Sequence, residues 1–330
     1  LLAADGVCLA CARLCDLHAG VGMCGVRRLD SHGKLVVDGA LTHAAVQPVE
    51  QKPLYHFRPG LRLLTVGSWG CGTRCAYCRN ADVALARKPL RRPARVADDV
   101  VAHARRHADG IAFSFNEPLV RAEQVARTCA AARRAGLEAV VVTSGWATEH
   151  VLDLLVPVTS AWRVDVKAAS EAAAARIFGE AGTPWASAFP TLARLAAAGS
   201  HVEVSLTYSP SIHDDRELAR LGAEIVASAG DGTAAHIQPL LPAHRLKDIE
   251  VPTLEALLSA RRVLRRVGLT HVYVHLLGPA RLRATWCGCG AALVERRLGR
   301  VISNLAPDAS CLRCGAATSI HLGTPTVAAA

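Results

Sequence analysis

Cys71, Cys75 and Cys78 stand at C-x3-C-x2-C spacing directly after an apolar run from Leu61 to Val66. The run reads as a buried strand, and the loop leaving the C-terminal end of a parallel strand is where α/β barrels keep their chemistry. Three thiolates close together can hold three irons of a [4Fe–4S] cluster and leave the fourth iron open to another ligand. No fourth cysteine follows nearby. A closed zinc site would use four ligands in paired C-x2-C knuckles, and this loop has no such pairs.

Of the 12 cysteines in the chain, Cys129 stands alone in a helical segment and reads as a buried apolar residue. The others form three clusters. Cys8, Cys11, Cys15 and Cys24 open the chain at C-x2-C-x3-C-x8-C spacing, among too few apolar residues to fold unaided. They predict a metal-stapled module, with zinc and a second iron–sulfur cluster both compatible with four thiolates. Near the other end, Cys287 and Cys289 precede Cys311 and Cys314, each pair followed by Gly, which reads as a zinc ribbon. Its first pair is C-x-C, one residue shorter than an ordinary knuckle, and this predicts a weakened site.

The elements that must position these residues are legible from Leu61 onward as alternating strands and helices. Apolar strands are expected at 61–66, 110–115, 139–143, 162–166, 202–207, 235–239 and 271–275, and short ones at 34–37 and 42–46. Pro118 starts a helix that runs towards Gly136. Thr253 caps another, with Leu257, Ala260, Leu264 and Val267 facing inward and Gly268 ending it. Too few units for eight predict an α/β fold with an open, partial (β/α)6 TIM-type barrel and small Cys-rich modules at both ends. The expected organisation is an N-terminal module and lead-in strands at 1–60, the barrel at 61–280, a ribbon at 281–322 and a disordered tail at 323–330.

At 330 residues the chain can bury one large core. The formal charge of +10 comes in part from arginine pairs on predicted outer helices, 105/106, 133/134, 261/262 and 265/266, and reads as a solvated surface. An acidic protein or RNA stays open as a partner. No apolar run is long enough to span a bilayer. The first residues lack the basic and small-residue features of a signal peptide, and the missing initiator Met points to further sequence upstream. Clustered thiols without a secretory signal indicate metal binding in the cytoplasm.

The C-x3-C-x2-C loop, with Tyr77 just before its last cysteine, resembles the signature of radical S-adenosylmethionine (SAM) enzymes. The match narrows on the opening C-x2-C-x3-C with Cys24-Gly25-Val26-Arg27, and on the stretch from Glu50 through Lys52-Pro53-Leu54-Tyr55-His56-Phe57 to Gly60. Together these resemble the radical SAM component of the AmmeMemoRadiSam system, a branch related to pyruvate formate-lyase activating enzymes. The resemblance implies a [4Fe–4S] cluster on Cys71, Cys75 and Cys78, with SAM chelating the open iron. It also implies the same partial barrel.

Further site residues follow at strand ends. Asn116-Glu117-Pro118 aligns with the family's NEP motif, which assigns Glu117 to the SAM amine; a helix-start Glu favoured by the dipole is the plainer alternative. Ser144, in Thr143-Ser144-Gly145, replaces the family's Asn. Asp165-Val166-Lys167 matches DLK and assigns Lys167 to the SAM carboxylate, since a buried lysine needs a partner; an Asp165/Lys167 pair on the rim is the alternative. Tyr77 is placed near the adenine through its backbone. Glu203, Ser205 and Thr207 alternate on one strand face that could point inward. Ser205 and His236 are assigned to the cofactor. His213 stands where the family has Asn, and His275-Leu276 where it has GN.

These readings predict an oxygen-sensitive enzyme that reduces SAM by one electron to give methionine and a 5′-deoxyadenosyl radical for hydrogen abstraction. The electron would come from an external donor such as flavodoxin or ferredoxin. The target is a glycyl-radical partner protein, or else a small molecule, peptide or RNA. A non-catalytic iron–sulfur and zinc scaffold, assembled with Memo-type and Ammecr-type proteins, is the reading from another class.

Overall fold

A computed structural model describes residues 1–37, 41–86, 97–180, 182–297 and 300–323. Residues 324–330, nearly all of the expected tail, lie outside the described residues. After a hairpin of β1 (Arg27–Leu29) and β2 (Leu35–Val37) comes β3 (His43–Pro48), then the seven strands that the apolar runs predict. These are β4 (Arg62–Gly67), β5 (Gly110–Phe113), β6 (Glu138–Thr143), β7 (Ala161–Asp165), β8 (His201–Tyr208), β9 (Ala234–Pro239) and β10 (Val272–Val274). They pair in parallel in sequence order, and β3 joins the β4 edge antiparallel. Among the described residues β3 and β10 do not meet, so the sheet is open.

A short α1 (Ala81–Ala84) follows the central cysteine loop. The crossover helices are α2 (Ala97–His107), α3 (Ala122–Arg134), α4 (Glu149–Leu155), α5 (Glu171–Phe178) with α6 (Ala188–Ala197), α7 (Asp215–Ala229) and α8 (Leu254–Arg266). They fill six crossovers between the seven parallel strands, the (β/α)6 pattern expected. Thr148, Ser170, Asp214 and Thr253 start their helices by accepting the backbone N–H three residues on, which satisfies one orphan donor at each. Pro118 opens a 3-10 turn to Arg121 before α3 begins, so the expected helix is split.

Apolar faces of the helices pack on the outer face of the sheet. On α8 Leu257, Ala260, Val263 and Leu264 are buried while Arg262, Arg265 and Arg266 are exposed. Arg261 departs from the expected solvated pair, for it is half-buried and donates to the Val272 carbonyl at 2.8 Å. Cys129 lies wholly buried in this layer. No described helix is long and apolar enough to cross a membrane.

The base of the sheet is closed from below by Tyr55, His56 and Phe57 and by a C-terminal sheet of β11 (Thr285–Trp286), β12 (Ala292–Arg297) and β13 (Arg300–Ser303). Arg296 joins the two. Its guanidinium lies 3.9 Å from the Tyr55 ring centroid, donates to the Tyr55 carbonyl, and reaches Arg283 O at 2.9 Å and Thr285 Oγ1 at 3.1 Å. Arg296→Met keeps the aliphatic stem and removes all three bonds. The buried acceptors left behind should cost on the order of 1–3 kcal/mol, read as a lower urea midpoint; an unchanged midpoint would mean the arginine does not hold the module.

Candidate functional site

The strand ends carry a cavity of about 250 Å³ whose wall includes Cys71, Cys75, Cys78, Asn116, Glu117, Ser144, Asp165 and Lys167. The loop that brings the three thiols there leaves β4 at Gly67 and is tied down from the next strand. Asn116 accepts from Ser68 N at 3.0 Å and donates to Gly70 O at 2.9 Å. Arg121 donates to the Trp69 carbonyl with its guanidinium 4.6 Å from the Trp69 ring centroid, and Asn80 donates to Phe115 O at 3.0 Å. The asparagine of the NEP stretch therefore positions the cysteine loop.

Inside the loop, Thr73 Oγ1 lies 3.0 Å from Cys71 Sγ and 3.6 Å from Cys75 Sγ. Burial, with Glu117 and Cys75 nearby, pushes the Cys71 thiol up to about 11, and burial raises Cys75 and Cys78 as well. Such thiols stay neutral near pH 7 unless a metal takes the place of the proton.

Glu117 is 5% exposed and its carboxylate is saturated. Oε1 accepts from Thr143 Oγ1 at 2.7 Å and Leu119 N at 3.2 Å; Oε2 accepts from Ser144 N at 2.8 Å and Ser144 Oγ at 2.6 Å. Burial raises its pKa even though these donors pull it down. The same side chain thus caps the turn from Pro118 and pins the loop after β6, the structural role weighed against the ligand role. Ser144 in place of Asn has a local reason: both its N–H and its hydroxyl serve Glu117.

Across the cavity Asp165 stands between two cations, 2.6 Å from Arg163 and 3.5 Å from Lys167 Nζ. Burial disfavours the Lys167 ammonium, yet Tyr77, Asp165 and Cys75 outweigh it and hold the pKa above the usual value. Behind it, His213 is buried and lies 3.0 Å from the Lys167 carbonyl. Tyr77 packs with Cys75, Trp146 and Ile177 in an apolar cluster at the rim.

Ser205 and His236, expected at the cofactor, do not line the cavity. Ser205 Oγ accepts from Gln238 Nε2 at 2.7 Å, and His236 lies lower, between Glu203 Oε2 at 2.8 Å and His275 Nε2 at 2.9 Å. Their neighbours two residues on, Thr207 and Gln238, reach the wall instead. Arg163 is a further lining residue that the motifs passed over. The alternation Arg163, Asp165, Lys167 along β7 was the signal for it.

At the far end, Cys287, Cys289, Cys311 and Cys314 bring their sulfurs within 4.8 Å of one another, with pairs at 3.6 and 3.8 Å. A tetrahedral ion with Zn–S bonds near 2.3 Å spaces its thiolates about 3.8 Å apart, so the shortened C-x-C pair does not prevent the geometry. Among the described residues this is the one group of three or more potential ligands drawn that close. The N-terminal Cys8, Cys11, Cys15 and Cys24 are all free thiols outside it.

Residues 67–222 match the model of the Radical SAM superfamily. Over 326 residues the chain is 28% identical to the uncharacterized protein MJ0808 of Methanocaldococcus jannaschii, covering 96% of this chain and 95% of the relative. Among solved structures it is similar to a radical SAM methyltransferase from Sphaerobacter thermophilus, with TM-score 0.52 and 18% identity over 76% of this chain and 75% of that one. It is also similar to a domain of a pyruvate-formate lyase-activating enzyme from Bacteroides vulgatus, with TM-score 0.42 and 19% identity over 51% of this chain and 100% of that one.

The saturation of Glu117 sets its own test. Glu117→Gln replaces an acceptor oxygen with a donor amide facing Thr143 and Ser144, which are themselves donors. Without added SAM the variant should lose on the order of 1–3 kcal/mol in urea unfolding. Parental stability would show that these bonds are dispensable and that the residue serves only a ligand.

Proposed function

We propose that this chain is a radical SAM enzyme: Cys71, Cys75 and Cys78 hold a [4Fe–4S] cluster and the cavity beside them takes SAM. The observation that carries this reading is the convergence of the three thiols, Glu117 and the Arg163–Asp165–Lys167 row on one cavity. A structural iron–sulfur protein needs neither charged wall. A cluster held by Cys71, Cys75 and Cys78 would supply the one-electron chemistry for reductive cleavage of SAM and radical hydrogen abstraction.

The chain's own residues bind and orient. Lys167 and Arg163 outnumber Asp165 and leave one net positive charge for the SAM carboxylate. Glu117, with its oxygens engaged, offers the amine its charge, and Ser144 Oγ stands beside it. Thr207 and Gln238, rather than Ser205 and His236, are the polar contacts for the adenosine half. Buried Cys75 and the apolar cluster around Tyr77 and Trp146 wall one end of the cavity, which would help to exclude water. Within this chemistry, activation of a glycyl-radical partner protein follows from the sequence resemblance, as do the external one-electron donor and the Memo-type and Ammecr-type partners. The C-terminal thiols are assigned to zinc.

Anaerobically reconstituted protein with a strong reductant should form 5′-deoxyadenosine from SAM, and Cys75→Ala should form none. Lys167→Met removes a charge-assisted contact on the order of 1.5–3 kcal/mol and should weaken SAM binding about ten- to a hundredfold, with cluster iron unchanged. A variant that binds SAM like the parent would return Lys167 to a structural ion pair.

The zinc assignment is checked separately. Cys311→Ser should release the zinc of the C-terminal site and lower the thermal midpoint while iron stays at the parental level. Iron loss in step with zinc would contradict it.

A further inference from the structure

The first 29 residues fold tightly around very little. Their apolar cluster has only Cys8, Ala10 and Leu17 buried, and no disulfide links them. So small a core does not hold a segment in place by itself. What the segment does have is sulfur. Cys8 N donates to Cys15 O at 2.8 Å, which sets these two cysteines side by side, and Cys11 and Cys24 both abut the backbone of the central cysteine loop at Gly72 and Gly70. A backbone N–H is aimed at one of the thiols: Met23 N lies 3.5 Å from Cys15 Sγ. Free thiols gain little from such donors, whereas metal-bound thiolates are stabilised by them.

The spacing of the sulfurs separates the two metals that four thiolates allow. The C-terminal thiols gather within 4.8 Å, as ligands of one tetrahedral ion must. The N-terminal thiols form no such group, and neither do Cys71, Cys75 and Cys78 in the span that matches the Radical SAM superfamily. In an iron–sulfur cube each thiolate binds its own iron at a separate corner, so the ligands stand further apart than around a single ion.

We propose that Cys8, Cys11, Cys15 and Cys24 hold a second [4Fe–4S] cluster, ligated on all corners by the protein. With no open iron it cannot chelate SAM, and one-electron transfer is the chemistry left to it. Its placement suits that role. A Cβ on Gly72, next to Cys71, would stand 3.9 Å from Cys11 Sγ, and one on Gly70 would meet the Cys24 carbonyl at 2.8 Å. Arg13 Nε donates to the Gly72 carbonyl, and Ala12 N to Trp146 O at 2.9 Å. The two cysteine loops are in direct contact. Resting on the radical SAM reading, the step is a relay: a reduced flavin or iron–sulfur carrier protein gives up one electron, the second cluster passes from the 2+ to the 1+ state, and it returns to 2+ as the electron moves to the cluster in the cavity.

The test removes the first cluster and keeps the second. The full-length triple variant Cys71→Ala/Cys75→Ala/Cys78→Ala, reconstituted with iron and sulfide, should retain about four irons per chain. On dithionite reduction it should give an electron paramagnetic resonance signal that SAM does not change. Adding Cys11→Ala and Cys24→Ala should bring the iron to background while zinc at the C-terminal site persists. A triple variant that carries zinc but no iron–sulfur signal, or two zincs per chain, overturns the proposal. Should the triple variant fail to fold, the iron of the intact protein decides: about eight per chain supports the second cluster and about four excludes it. SAM cleavage by the intact protein is scored separately, so loss of the radical SAM reading would leave this result standing.

Discussion

An open parallel sheet has an interior that something must fill, and here one buried carboxylate makes the filling possible. Glu203 sits on the inner face of β8 with no exposed surface. It accepts from the backbone N–H of Tyr55 and of His56, both at 2.8 Å, and pairs with His201 and His236. Burial opposes its charge, yet the two histidines hold its pKa well below the ordinary carboxylate value. A non-helical stretch pushed into a core brings backbone donors that water can no longer satisfy. Glu203 answers two of them at once, so the lead-in peptide can plug the base. The C-terminal sheet then docks on that plug through Arg296 and through His321, whose backbone pairs with His56 and Arg58. With the base closed, the open end of the sheet is left as the place where ligands enter.

The same logic of satisfied donors governs the upper end. The cysteine loop is irregular; its Gly70 and Trp69 carbonyls are taken up by Asn116 and Arg121, and its own Asn80 donates to Phe115 O. Glu117 does the equivalent for the loop after β6. The two residues of the Asn-Glu pair therefore look in opposite directions, one to the cluster loop and one to Thr143 and Ser144. From the end of β5, these two residues fix the loops leaving β4 and β6, the strands on either side of it. Both loops are thus held by bonds within the chain itself, the pre-organisation that a binding site requires.

How far the sequence could be read follows from which physical quantity each pattern reports. Apolar runs and cap residues report local structure, and all seven parallel strands fall where they predict. The cysteine spacing and the Asn116-Glu117 and Asp165-Val166-Lys167 stretches report strand-end chemistry, and the structure gathers them on one cavity. Alternation along a strand reports which face a side chain takes but not its height along the barrel, which depends on stagger between neighbouring strands. Of Glu203, Ser205 and Thr207, which alternate along β8, Thr207 lines the cavity and Ser205 does not; on β9 Gln238 lines it and His236, two residues earlier, does not. The Arg163 contact was missed because a motif centred on Asp165 and Lys167 hides the residue two places earlier on the same face. The C-terminal C-x-C pair is one residue shorter than an ordinary knuckle, which pointed to a weakened site, and its two sulfurs are matched across the site with Cys314 and Cys311. Tetrahedral geometry depends on that pairing in space and not on spacing along the chain.

The cavity's electrostatics explain why its charged groups can coexist in a place where burial disfavours every one of them. Three thiols that would ionise on binding metal lie beside Glu117, a concentration of negative charge that no buried wall could tolerate alone. Lys167 answers from the opposite strand. Facing Tyr77, Asp165 and Cys75 keeps it protonated despite its burial. Asp165 in turn restrains Arg163, so the cationic side presents one net charge instead of two. On the proposed reading, a zwitterionic ligand laid between Glu117 and Lys167 would set its amine against the carboxylate and its carboxylate against the cations. A ligand lacking either group would leave one buried charge without its counterpart, at a desolvation cost that adds to any misfit of shape.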